Sequence, residues 1–135
     1  MMHHLLLTFL SLLLFSFTIT LCAAKTKVHI KNTLEGGQVL NFHCKSKNDD
    51  LGVQLLHPGE EWMFRFTVNI WETTLYFCRF WWGAESHWFD IYKASRDKWP
   101  PVCYDDNKYW EVKQSGPCFI RCFASPHQTC YPWNS

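Results

Sequence analysis

The sequence predicts an all-β fold, a small disulfide-stabilised antiparallel β-sandwich. Three observations predict it. Apolar residues recur at period two in short runs separated by Gly, Pro and Asn. Two of those runs, Leu40 to Cys44 and Thr74 to Trp82, each carry a cysteine. Past residue 24 no stretch shows a helical period. Seven or eight short strands at regular spacing bury their apolar faces best as two packed sheets.

The first residues stand outside that fold. Leu5 to Leu21 is apolar or hydroxylic, the small residues Cys22, Ala23 and Ala24 follow, and polar sequence begins at Lys25. This reads as a secretory signal peptide, residues 1–24, cleaved after Ala24. A membrane anchor is the competing reading. The run is marginal for a span of ~20 residues and no Lys/Arg cluster flanks it, which favours cleavage. No second run of spanning length follows, so residues 25–135 are expected to form one domain that does not insert into a membrane. Cys22 leaves with the signal. Cys44, Cys78, Cys103, Cys118, Cys122 and Cys130 remain, an even set in a short secreted chain, and are read as disulfide candidates whose pairing the sequence leaves open. Formal net charge is +1, from 13 Lys and Arg against 12 Asp and Glu, without a basic block, so nucleic acid is not an expected partner. The eight tryptophans all follow residue 24, and most are expected in the core.

The elements follow in order. Val28 and Ile30 share a face over Lys27 to Lys31, and Glu35-Gly36-Gly37 turns the chain. Gln38 to Cys44 puts Leu40, Phe42 and Cys44 on one face and Asn41 and His43 on the other. Lys45 to Asp50 is too charged to bury and reads as a hairpin turn closed by Gly52. Val53 to Leu56 is the next strand, expected to carry Val53 and Leu55 back into the core. His57-Pro58-Gly59-Glu60 is a turn. Trp62, Phe64, Phe66 and Val68 make the clearest half-buried strand, and Asn69 to Glu72 turns. Thr74 to Trp82 is apolar on both faces, as a central strand should be. His87 to Lys93 points Phe89 and Ile91 one way and Trp88, Asp90 and Tyr92 the other. Ala94 to Lys108 is the longest irregular segment, its Pro100-Pro101 pair denying ladder donors. Tyr109 to Lys113 is a short strand, Ser115-Gly116-Pro117 a turn and Cys118 to Phe123 a last strand. The cysteine-containing tail, Ser125 to Ser135, holds two prolines and is expected to be irregular.

Taken together, these motifs resemble the plant self-incompatibility S1 proteins. Val28-His29-Ile30-Lys31-Asn32-Thr33-Leu34 resembles the opening strand, and His43-Cys44-Lys45-Ser46-Lys47-Asn48-Asp49-Asp50-Leu51-Gly52 the most distinctive motif. Phe64-Arg65-Phe66, Thr74-Leu75-Tyr76-Phe77-Cys78, Phe89-Asp90-Ile91-Tyr92, Cys103, Trp110-Glu111-Val112 and Gly116 follow in the family's order. The resemblance covers roughly residues 28 to 116 and implies a secreted β-sandwich with disulfides and no enzymatic activity. It also implies a ligand role: founding members act in the pistil on a receptor of pollen, and a self match triggers calcium signalling and growth arrest. Lys108 stands where the family has a cysteine two residues before the tryptophan, and the tail beyond Gly116 reads as a local elaboration.

Chemistry-bearing residues favour binding over catalysis. Cys118, Cys122, His127 and Cys130 are spaced somewhat like zinc ligands, but secretion favours disulfides and the spacing is not that of a standard zinc knuckle. Asp49-Asp50, Glu60-Glu61 and Asp105-Asp106 are adjacent acids in turns, better read as solvated surface than as a glycosidase pair. His29, His43, His57 and His87 are scattered and no nucleophile motif accompanies them, so a secreted hydrolase has little support. Trp81, Trp82, Trp88 and Trp99 could form a sugar platform, although Trp81 and Trp82 must face opposite ways. No cofactor is expected. A cell-surface receptor is the expected partner, with oligomeric state open. Candidate contacts are the Ala94–Lys108 loop, through Arg96, Asp97, Trp99, Asp105 and Asp106, and the Lys45–Asp50 turn. Charge reversal at Arg96, Asp97 or Asp105 is expected to alter binding without altering thermal stability. A defence protein that binds carbohydrate or microbial surfaces is the alternative.

Overall fold

The structure, a computed structural model, describes residues 2–22, 25–97, 106–122 and 125–135, the backbone alone at 15–22, 121–122 and 125–127. A leading helix, α1 (Met2–Cys22), is followed by β1 (Thr26–Asn32), β2 (Leu40–Lys45), β3 (Asp50–Leu56), β4 (Glu61–Phe66), β5 (Leu75–Trp82) and β6 (Glu85–Lys93). A single helical turn, α2 (Ala94–Asp97), precedes β7 (Asn107–Lys113), β8 (Gly116–Cys122) and β9 (Ser125–Cys130). The strands form a five-stranded sheet in the order β4-β1-β7-β8-β9 and a four-stranded sheet in the order β3-β2-β5-β6. Every pairing is antiparallel except that of β1 with β7, which is parallel. The predicted antiparallel sandwich is therefore correct with one parallel seam.

The alternating pattern sets the core. Val28 and Ile30 of β1, Phe42 of β2, Phe80 of β5, Ile91 of β6 and Trp110 of β7 point between the sheets and are fully or almost fully buried. Asn32 is buried with them because its side chain is fully used. Its amide nitrogen donates to the carbonyls of Gln38 and Leu56 and its oxygen accepts from the Leu34 N–H, which pins the end of β1 to the other sheet's strands. Cys44 and Cys78 are directly opposite on β2 and β5 and are joined, and Cys118 and Cys130 are likewise joined across β8 and β9. Cys103 lies outside the described residues, as does the side chain of Cys122. With Cys118 bonded to Cys130, two of the four would-be zinc ligands are already taken.

Three expectations need correction. Val53 and Leu55 do not return to the core. β3 is an edge strand, and the residues it turns inward are Gln54 and Leu56. Alternation in β6 breaks at a bulge, where the register shifts between Tyr76 and Cys78 of β5, so Ile91 and Tyr92 are both buried. The tail is not irregular: Ser125–Cys130 pairs with β8 as an edge strand, where a proline is tolerated. Beyond it, Trp133 stacks on His87 at 5.1 Å, approaches Phe80 and Trp82, and donates its indole N–H to the Gln114 carbonyl. The tail thus closes one end of the sandwich by joining β6 to the β7–β8 turn.

Candidate partner-binding end

The strand directions gather several loops at the opposite end. Lys45 of β2 pairs with Phe77 near the start of β5, and Leu75 pairs with Lys93 at the end of β6. The turn 46–49, the β4–β5 loop 67–74 and the segment beginning at Ala94 therefore emerge together. Ala94 donates its N–H to the Thr74 carbonyl and Lys27 donates to the Asp106 carbonyl, tying the long segment to β5 and β1 at its two ends. The Lys45–Asp50 turn and the described start of the Ala94–Lys108 segment, both singled out from the sequence, emerge at the same end, with the β4–β5 loop bonded to the latter.

Between the turn and the β4–β5 loop lies a cleft of about 560 Å3 lined by Ser46, Lys47, Asp49, Asn69, Thr73 and Tyr76, among others. The Tyr76 hydroxyl donates to the Asp49 carboxylate at 2.9 Å. Burial, and then that bond, raises the Tyr76 pKa above its ordinary value. Asp49 in turn accepts from Ser46 N–H through its carbonyl, and its own N–H donates to Ser46 Oγ. His43 hydrogen-bonds Asp50, which also accepts the Gly52 N–H, and both bonds lower the Asp50 pKa. These carboxylates fasten their turn. Glu60 does the same for the next one by accepting the His57 N–H.

The β4–β5 loop is built around Asn69. Its N–H donates to Thr74 Oγ1, its side-chain amide donates to Thr73 Oγ1, and its side-chain oxygen accepts the Thr73 N–H, each at 2.9 Å. Its carbonyl accepts from Glu72, which takes a left-handed φ of 58°. The loop so fixed presents Ile70 and Trp71 to solvent, 85% and 77% exposed. Sequence reasoning passed over both as turn residues. The available signal was a pair of large apolar side chains placed directly after the turn former Asn69, where the alternation of β4 has ended.

Arg96 and Asp97 sit otherwise than expected. Arg96 donates through Nε and Nη2 to the Asp97 carboxylate and through Nη2 to the Asp90 carbonyl, all at 2.7 Å. Its guanidinium lies 5.1 Å from the Phe89 ring, 5.1 Å from Trp110 and 5.4 Å from Tyr131. Asp97 also accepts the Lys93 N–H, and its side chain is 9% exposed against 22% for Arg96. This pair closes the seam between β6, β7 and the tail, which argues against charge reversal there leaving stability unchanged. Asp106 is exposed, and Trp99 and Asp105 lie outside the described residues.

Other candidate chemistry does not converge. His29 stacks on Tyr109 and hydrogen-bonds Asn107 on the outside of the five-stranded sheet, whereas His43 is on the outside of the four-stranded sheet. A smaller hollow of about 360 Å3 beside Lys31, Glu61, Tyr109 and Glu111 brings its acids already engaged, Glu61 with His29 at 3.6 Å and Glu111 with Gln128. Trp82 is buried. Trp81 and Trp88 lie on the outer face of the four-stranded sheet, where the Arg79 guanidinium covers Trp81 at 4.9 Å and Trp88 is 45% exposed.

Comparison with known proteins agrees with this architecture. The family model described as plant self-incompatibility protein S1 matches residues 27–133. S-protein homolog 2 of Arabidopsis thaliana is 45% identical over 112 residues, 82% of this chain and 70% of the relative. S-protein homolog 18 of the same plant is 40% identical over 129 residues, 93% and 92% of the two chains. A solved structure, described as one of the SPH (self-incompatibility protein homologue) proteins, a widespread family of small, highly stable, secreted proteins from plants, shares the fold. Its TM-score is 0.59 at 23% identity, over 84% of this chain and 97% of that one. The match through residue 133 corrects the view of the tail as a local elaboration. The chain belongs to the plant self-incompatibility protein S1 family.

Proposed function

We propose that this protein is a secreted, non-enzymatic extracellular ligand that acts by binding a cell-surface receptor through the loop end of its sandwich. The observation that carries the reading is the gathering of the turn 46–49, the loop 67–74 and the segment from Ala94 at one end. Loops anchored on a rigid sandwich, with their polar groups already bonded to one another, lose little freedom on binding. Secretion is supported by α1, an apolar helix whose residues 2–14 are exposed, as expected of a signal peptide and not of a packed element. Among the described residues no helix is long and apolar enough to cross a membrane.

The test is to express the full chain in a secretory host, collect and label the secreted product, and apply it to intact plant cells from reproductive and vegetative tissues. Saturable binding, displaced by unlabelled protein and restricted to some cells, is expected. Its absence from all cells would overturn the ligand reading. The second reading, a carbohydrate-binding defence protein, draws on Trp81 and Trp88 with Arg79 between them on one sheet face. A glycan array decides it: retention that is lost in Trp88→Ala would favour it.

A further inference from the structure

We propose that Ile70 and Trp71 form the anchor of the interface, a rigid apolar prong that enters an apolar socket on a protein partner, with the polar cleft beside it forming part of the rim. This rests on the ligand reading above and assigns its contact residues.

Large apolar side chains exposed at a loop tip keep their unfavourable contact with water and gain no packing in the isolated molecule. Scattered singly they need no explanation, but here two are adjacent on a loop held by four hydrogen bonds centred on Asn69, three of which engage its backbone. That loop is ordered before any partner arrives. Preorganised aromatic anchors surrounded by hydrogen-bonding groups are the composition of interface hot spots. The cleft next to the prong supplies such groups in Ser46, Asn48, Thr67 and Thr73.

The surroundings favour protein over lipid as the occupant. Glu72 follows Trp71 directly, and Asp49 lies across the cleft with Lys47, so the rim is mixed in sign and gives an anionic bilayer no net attraction. Sinking the prong into hydrocarbon would also strip water from hydroxyl and amide groups that a protein rim can hydrogen-bond.

The experiment compares the secreted product of the full chain with an Ile70→Ser/Trp71→Ser variant and a Val53→Ser/Leu55→Ser variant, which removes two other exposed apolar residues from an edge strand. All three are expected to share one melting temperature, and binding to responsive cells should fall about thirtyfold or more only in the first. Binding should also vanish after the cells are stripped with protease and be absent on phosphatidylcholine/phosphatidylserine vesicles. Saturable binding that the prong variant retains overturns this assignment and leaves the ligand reading standing. Binding that survives protease or transfers to vesicles overturns the protein socket. No cell binding by the unaltered protein overturns both.

Discussion

Arg96 and Asp97 begin one loop at the loop end of the sandwich, and Ile70 and Trp71 tip the loop beside it. The charged pair turns inward, onto three aromatic rings and two backbone groups. The apolar pair turns outward into water. In each case the local hydrogen bonds decide. A guanidinium that meets a carboxylate, a carbonyl and ring faces has its donors and charge satisfied away from water. A loop braced by the hydrogen bonds of Asn69 holds its shape without burying its side chains. Composition alone therefore does not tell which loop turns its side chains inward, whereas the partners of each polar atom do.

The largest effect should come from breaking the inward pair. Arg96→Ala leaves Asp97 largely buried without its counter-charge and opens the ring cage, and a loss of about 2–4 kcal/mol is expected in urea unfolding. A loss under half a kcal/mol would mean that the pair is solvated in practice. Gly116→Ala attacks the same cage from behind. Gly116 has φ +144°, and an added Cβ would sit 2.0 Å from the Tyr131 carbonyl oxygen, so the tail must shift and carry the Tyr131 wall with it. About 2–3 kcal/mol should be lost, with the Arg96→Ala effect reduced in the double mutant.

A smaller effect is read by pH. Tyr92, almost fully buried, has its pKa pushed up to about 12, first by burial and then by the charges of Asp97 and Asp106. An unfolded tyrosine ionises near 10, so between those values the unfolded chain loses a proton that the folded chain keeps. Stability should therefore be level below about pH 10 and fall as pH rises towards 12, by on the order of 2 kcal/mol, and Tyr92→Phe should flatten that fall. Asn69→Ala should cost about 1 kcal/mol by freeing the prong's backbone. The prong substitutions themselves should stay within about half a kcal/mol of the parent, and a large loss there would show that Ile70 or Trp71 is packed after all.

The strands of both sheets were legible because period-two burial leaves a direct trace, as in Trp62 to Val68 and Leu40 to Cys44. The side on which an apolar pair falls was not. Val53 and Leu55 alternate correctly, yet only the edge position of β3 tells that their face meets water. β9 escaped notice because an edge strand tolerates polar residues and proline. The inward turn of Arg96 depends on rings from β6, β7 and the tail, contacts that no local pattern encodes. The two candidate loops stand out in the sequence by charge and irregularity, whereas Ile70 and Trp71 lie in a short turn and leave no periodic trace of their exposure.

The parallel seam between β1 and β7 has a consequence for how the chain is made. The four-stranded sheet is drawn wholly from residues 40–93, so it can assemble while the ribosome still holds the rest. β1 can pair with β4 early, but its other edge stays open until β7 emerges, and until then the core lacks Trp110 and Val112. Each molecule thus passes through a half-built stage with part of its oily core uncovered. A chain ended after Lys93 is expected to stay bound to chaperones and be degraded instead of secreted, which pulse-chase labelling would reveal. For this architecture the hazard lies in the minutes of birth, before the last third of the polypeptide comes to cover what the middle third has made.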